Sequence, residues 1–225
     1  MSVPPWLEVL VAALPTVPAE HFTHYLPPPE GGRNSAVLVL FGEGPDGPDL
    51  LLIERAATMR SHAGQPAFPG GAQDPEDDGP VAAALREAKE EVGLDPAGVE
   101  ILGLLPALWL PPSGYVVHPV VGWWPVPHPV DVVDAAEVAA VARVPLSELI
   151  DPANRYRVWH PSGFMGPAFQ VRGMVVWGFT AGLVAGLLTL GGWDLPWDTG
   201  RIEQLDPGTL ALASRTGAPP GPRPG

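Results

Sequence analysis

The chain has 225 residues, no cysteine, and a formal charge of −13 from 12 Lys+Arg against 25 Asp+Glu. That length fits one medium domain with extensions and can bury a sizeable core without staples. The charge argues against non-specific binding to nucleic acid or to an anionic membrane, and the missing thiols exclude disulfides, Cys-ligated zinc and a thiol nucleophile.

The opening stretch MSVPPWLEVLVAALPTVPAE lacks the basic region of a secretory signal and carries Glu8 inside its apolar run, so a cytoplasmic protein is expected. A short helix around Trp6 to Leu14 should lead into the proline-rich connector HYLPPPEGG, which breaks any periodicity. Residues 1–32 therefore read as an N-terminal extension, with the organised domain over 33–193. SAVLVLF (35–41) and DLLLIER (49–55) are apolar, β-branched runs separated by the turn-rich GEGPDGP, the pattern of a hairpin. Further strands are expected in VEILGLLPAL (99–108), YVVHPVVGWWPV (115–126), EVAAVARVPL (137–146) and FQVRGMVVW (169–177). Strands interrupted by one strong helix, without regular strand–helix alternation, predict a mixed sheet with helices packed on it, an α/β (α+β) arrangement.

The stretch GMVVWGFTAGLVAGLLTLGGW (173–193) has 21 residues without a charge, enough to span a bilayer, and spaces Gly178, Gly182 and Gly186 by four. A strand-to-helix boundary at Trp177-Gly178 would leave only about a dozen helical residues, too few to span. No basic cluster flanks the segment. A buried strand followed by a helix is expected. Residues 194–225, ending in GAPPGPRPG, are expected to be largely disordered.

The chemistry concentrates in FPGGAQDPEDDGPVAAALREAKEEVG (68–93). Asp77, Asp78 and Gly79 precede Pro80, a good first-turn residue, and Gly93 is a natural left-handed cap, so a helix over about 80 to 92 is expected. Successive helical residues turn by about 100°, which puts Glu87, Glu91 (about 40° on) and Glu90 (about 60° back) on one narrow face. Val81, Leu85, Ala88 and Val92 would form the stripe that packs on the sheet. Like charges at this spacing destabilise a helix. Arg86 reaches Glu90 at i+4, but Lys89 points elsewhere, so the helix itself leaves two acids unneutralised. A solvated acidic face is the plain reading. A site for a hard divalent cation such as Mg2+, which takes carboxylate and carbonyl oxygens, would remove the repulsion.

Gly71, Arg86, Glu87, Glu90, Glu91, Gly93 and Leu94 resemble the Nudix box, a glycine followed by REUxEExGU with U aliphatic. Ala88 stands at the first U, and one extra residue lies between glycine and arginine; Glu76, Asp77 and Asp78 compete for the mid-loop acid. Residues 51–71, LLIERAATMRSHAGQPAFPGG, are similar to the segment marking the coenzyme A pyrophosphatase branch, with Ile53 where that pattern has threonine. SGYVVHPVVGW (113–123), AEVAAVARVPLSEL (136–149) and VWGFTAG (176–182) follow that branch in order and spacing, so the resemblance covers roughly 33 to 190.

The resemblance implies a Nudix fold, a mixed β-sheet sandwiched between helices. It also implies metal-dependent hydrolysis of coenzyme A, or a derivative, to 4′-phosphopantetheine and adenosine 3′,5′-bisphosphate. The alternative is another nucleoside diphosphate derivative: ADP-ribose, a dinucleoside polyphosphate or an oxidised nucleotide. Mg2+ or Mn2+ is the implied cofactor, with Glu87 and Glu91 as ligands and Glu90 as a ligand or water-orienting group. Arg86 would hold Glu90, and the Gly70 carbonyl, beside Gly71, would add an oxygen. Glu137 is a candidate base or extra ligand. Arg55 and Arg60 are candidate phosphate-gripping residues, since guanidinium pairs phosphate oxygens bidentately. His62, His118, Tyr115 and the tryptophans remain candidate lining groups. The implied partner is the small-molecule substrate, with no nucleic acid and no membrane; oligomeric state stays open, a homodimer included.

Overall fold

The computed structural model describes residues 3–23, 25, 31–59, 62–111, 113–161 and 163–214. A 3-10 turn, Pro5–Leu7, runs into helix α1 (Glu8–Ala13). Leu7, Leu10 and Leu14 sit at helical spacing and are buried. Trp6 meets Phe41, Trp123 and Trp193 with ring centroids 6.1, 5.7 and 5.9 Å away. Within the expected N-terminal extension, apolar residues from Val3 to Phe22 thus pack into the same core.

Strands β1 (Arg33–Gly44) and β2 (Gly47–Arg55) form the expected hairpin, with Gly44 opposite Gly47. Only Pro45 and Asp46 make the turn, because the remaining residues of GEGPDGP extend both strands. Then follow β3 (Pro66–Ala67), β4 (Gly70–Ala72), α2 (Gly79–Val92), β5 (Glu100–Leu104), β6 (Leu108–Leu110), β7 (Tyr115–Trp124), β8 (Val138–Pro145) and α3 (Leu146–Ile150). The run 99–108, expected as one strand, breaks at Leu105-Pro106-Ala107, where proline has no N–H to give a ladder.

The larger sheet has eight strands in the path β3-β2-β1-β7-β5, with β8 on β2, β6 on β7 and β4 on β1. Its centre is a parallel pairing of β1 with β7, from Arg33 opposite Tyr115 to Gly42 opposite Trp124. Along β1, Leu38 and Leu40 face one layer, with α2, while Val39 and Phe41 face the other, with α1 and a later helix. Burial on both faces explains why the sequence reads as an unbroken apolar run. The second edge of β1 is shared: β2 pairs with Phe41–Gly44, and β4 pairs with Ser35–Val37. Where β2 leaves β1 to follow β8, the sheet splits, and β4 fills the gap.

A second sheet orders β11 (Met174–Val176), β10 (Met165–Val171), β9 (Arg155–Trp159) and β12 (Ile202–Gln204). Stretch 169–177 is a hairpin turning at Arg172-Gly173 rather than one strand. The uncharged segment 173–193 is β11 plus helix α4 (Gly178–Leu190), and among the described residues no helix is long and apolar enough to cross a membrane. Gly186 has a packing role, since a Cβ there would lie 2.5 Å from the Phe22 ring. Residues 194–225, expected to be largely disordered, contain β12 and α5 (Pro207–Ser214), held by Leu205, which is buried with Tyr156, Val158 and Ala168.

Candidate active site

Helix α2 starts at Gly79-Pro80 and ends at Gly93, whose φ of +72° gives the left-handed cap the sequence called for. Its buried face differs from the expected one. Ala83, Ala84, Ala88, Glu91 and Val92 are buried, while Val81 and Leu85 are only half-buried. Three of the five buried positions are alanines, packed with Ala36, Leu38 and Leu40 of β1. Core side and acid side thus overlap: Glu91 lies within the packed face, Glu87 at its rim and Glu90 outside it.

Glu91 is 2% exposed. Its Oε2 accepts the Gly70 N–H at 3.0 Å; its Oε1 has no hydrogen-bond partner among the described residues and lies 3.9 Å from Arg55 Nη1. The diglycine turn makes this approach feasible. A Cβ on Gly71 would stand 2.5 Å from the Glu87 carboxylate, and one on Gly70 would stand 2.2 Å from the Ala36 carbonyl oxygen. Opposite α2, the N–H of Glu137 donates to the Asp134 carbonyl, and the Glu137 carbonyl accepts the Ala56 N–H at 2.7 Å, fixing the start of β8. Ligand oxygens of Glu87, Glu91 and Glu137 come within 4.8 Å of one another.

Arg86 organises the other side. Nε and Nη2 donate to Asp77 at 3.0 and 2.9 Å, Nη1 to Glu87 and Glu90 at 3.0 Å each, and Nη2 to the Ala72 carbonyl at 3.1 Å. These bonds keep the guanidinium firmly protonated and hold the Asp77 carboxyl below its usual range. Of the three competing loop acids, Asp77 is the one tied to Arg86. Burial pushes Glu91 up to about 7, against the opposing pull of the Gly70 N–H and Arg55, and it raises Glu87 as well.

The structure thus brings together Glu87, Glu91, Gly70, Gly71 and Arg55 of the residues singled out, with Glu137, the candidate base or extra ligand, beside them. Glu90 stands apart, its side chain 59% exposed and engaged with Arg86. Arg60 lies outside the described residues. The His62 ring is bonded to Gln65, and His118 lies 3.4 Å from Asn34; burial lowers both imidazoles. The three-carboxylate cluster suits a hard divalent cation. Its oxygens are the right donor type, and the unsatisfied Glu91 Oε1 is the buried lone pair such an ion would occupy.

Residues 32–162 match the family model described as the NUDIX domain. The chain belongs to the Nudix family. It is 42% identical over 163 residues to NudL, an uncharacterized Nudix hydrolase of Cronobacter sakazakii, covering 68% of this chain and 79% of the relative. It is also 42% identical over 159 residues to NudL of Escherichia coli K12, with the same coverage. Among solved structures, the Nudix hydrolase RenU of M. smegmatis aligns with TM-score 0.49 and 18% identity over 75% of this chain and 91% of that one. An Ap4A hydrolase of C. elegans aligns with TM-score 0.44 and 21% identity over 52% and 83%. As a Nudix hydrolase the chain is an enzyme acting on a small molecule, a nucleoside diphosphate derivative. The sandwiched mixed sheet expected from the sequence is the Nudix fold.

Proposed function

We propose that this Nudix hydrolase cleaves the diphosphate of coenzyme A, or of an acylated or oxidised form, giving 4′-phosphopantetheine and adenosine 3′,5′-bisphosphate. One observation carries the reading. Residues 51–71, which resemble the coenzyme A branch, furnish both Arg55, at 3.9 Å from Glu91, and the Gly70-Gly71 floor on which Glu87 and Glu91 rest. Three residues of the stretch that resembles the coenzyme A branch thus lie at the carboxylate cluster, which supports the reading.

Glu87 and Glu91 are assigned as the residues that would hold Mg2+ or Mn2+, with the Gly70 carbonyl as a further oxygen. When bound, the ion acidifies water and offsets charge on the attacked phosphate. Glu137 enters from the turn just before β8 rather than from α2 and faces the same point, which suits it to take the proton of the attacking water. Arg86 is a positioning residue: bridging Asp77, Glu87 and Glu90, it ties the acidic loop to the helix. Glu90 belongs to that bridge. Arg55, drawn toward Glu91, retains N–H donors for a phosphate oxygen. A cytoplasmic setting accords with a chain that has no cysteine.

The test is mass spectrometry of the products formed from coenzyme A in 18O water with each metal. Expected are the two named products, with the label in one of them reporting which phosphorus was attacked. Intact coenzyme A alongside hydrolysed ADP-ribose or dinucleoside polyphosphate would overturn the assignment and leave the Nudix chemistry standing.

A further inference from the structure

Beside the carboxylate cluster, a cleft of about 490 Å³ opens between the first residues of β1 and β7 and the loop after β4, lined by Arg33, Asn34, Gln73, Asp74 and Tyr115 among others. Its walls are continuous with the site, because Ser35 pairs with Ala72 and Ala36 with Gly71, the residue on which the Glu87 carboxylate rests. Arg33 stands three positions before Ala36, so at about 3.3 Å per residue its backbone is roughly 10 Å along the strand from that contact.

The Arg33 side chain is held in an unusual way. Its guanidinium carbon lies 4.2 Å from the centre of the Tyr115 ring, its strand partner across the parallel pairing. Nη2 donates to the Ser113 carbonyl at 3.1 Å, and the guanidinium makes no other hydrogen bond to the described residues. Among the described residues only Arg33, Lys89 and Arg157 have no carboxylate within ion-pair distance. Lys89 is exposed on the outer side of α2, and Arg157 lies on the second sheet. The acid in the cleft, Asp74, faces Arg86 at 3.6 Å. In a chain of charge −13, a guanidinium with no carboxylate partner, held over an aromatic ring beside the carboxylate cluster, is preorganised for a second anion.

We propose that Arg33, positioned by Tyr115, receives the 3′-phosphate of a 3′-phosphorylated nucleoside diphosphate, so that the cleft reads the nucleotide half of the substrate while the carboxylate cluster engages the diphosphate. This rests on the coenzyme A reading, which supplies such a phosphate one ribose away from the scissile bond. Asn34 and Gln73 border the same space and offer amide groups to the sugar or phosphate oxygens. Neither Arg33 nor Tyr115 belongs to the Nudix box, and so the cleft sets which nucleotide is accepted rather than how it is cut.

The experiment compares coenzyme A with 3′-dephospho-coenzyme A as substrates of the full chain and of Arg33→Ala and Arg33→Lys. It also measures binding of adenosine 3′,5′-bisphosphate against AMP by titration calorimetry without added metal. A lost charge-assisted bidentate contact is worth about ten- to a hundred-fold. Wild type should favour coenzyme A in kcat/KM by that factor, R33A should bring the ratio close to unity through KM, and R33K should fall between. The calorimetric preference for the bisphosphate should vanish in R33A in parallel, a change that mere loosening of the fold would not confine to one ligand. If both esters are hydrolysed and the ratio does not move in either variant, the coenzyme A reading stands and the role of Arg33 is overturned. If neither ester is hydrolysed while ADP-ribose is, the coenzyme A reading fails and this assignment falls with it.

Discussion

Replacing Glu91 with glutamine is expected to stabilise the metal-free protein while abolishing hydrolysis. Glu91 is 2% exposed, and burial lifts its pKa from 4.5 to about 7. A carboxyl with a higher pKa folded than unfolded holds more protons in the folded chain between those two values. Stability is therefore greatest below pH 4.5, declines as pH rises toward 7, and stays low above it. At about 1.4 kcal/mol per pH unit, that interval amounts to roughly 3 kcal/mol by pH 8. Glutamine keeps an acceptor for the Gly70 N–H but loses the attraction to Arg55, so a net gain of about 1–2 kcal/mol is expected, or about 2–8 °C in Tm for a chain of this size. Thermal unfolding in EDTA at pH 5 and pH 8 reads it directly. The two proteins should melt together at pH 5 and separate at pH 8, with E91Q higher. An E91Q that melts below wild type at pH 8 would refute the claim that the ionised carboxylate is strained in its pocket.

Mg2+ or Mn2+ at about a hundred times its dissociation constant should stabilise the wild type by roughly 2.7 kcal/mol at pH 8, with little effect on E87Q or E91Q in the same melting assay. Gly71→Ala and Gly70→Ala should separate function from folding. G71A displaces the flexible Glu87 carboxylate, so a hundred-fold drop in kcat is expected from about 3 kcal/mol of lost alignment, with the fold retained by circular dichroism. G70A sets a Cβ 2.2 Å from the Ala36 carbonyl oxygen, a backbone atom that cannot step aside, and should depress soluble expression and Tm together. Arg86→Ala takes two of the three hydrogen bonds from the Asp77 side chain, 7% exposed, leaving only that from the Asp74 N–H; a loss of roughly 1–3 kcal/mol in urea unfolding is expected, along with a fall in kcat greater than any rise in KM.

The ends of α2 were legible because Gly79-Pro80 and Gly93 act locally, each through its own backbone. Its orientation was not, because periodicity weighs alanine little, whereas in the packed structure Ala83, Ala84 and Ala88 are fully buried against the sheet. Glu137 carries no local pattern of its own; only family likeness picked it out, and its place beside Glu87 and Glu91 arises where β8 joins β2. Strand β9 escaped notice because Arg155 and Arg157 alternate with Tyr156 and Val158, and apolar runs do not anticipate a buried arginine. Arg155 is 3% exposed, paired with Asp194 and flanked by the Phe169 and Trp197 rings. The later strand β12 is exposed at all three positions and is held by backbone pairing, which leaves no imprint on side-chain choice. Tyr115 was a candidate lining residue while Arg33 drew no functional reading; their contact exists only because distant strands run side by side.

That side-by-side pairing has a consequence for how the molecule comes into being on the ribosome. The hairpin of β1 and β2 emerges early, yet the central strand keeps an open edge until α2, β5 and β6 have been made and β7 follows. Non-local parallel pairing of this kind is slow to close and leaves an adhesive border bare meanwhile. A nascent chain halted between Gly93 and Tyr115 would leave the β7 edge of β1 unpaired, with Leu38 and Leu40 covered by α2 but lacking Val120 and Trp124, making that window a point in synthesis at which chaperone capture matters.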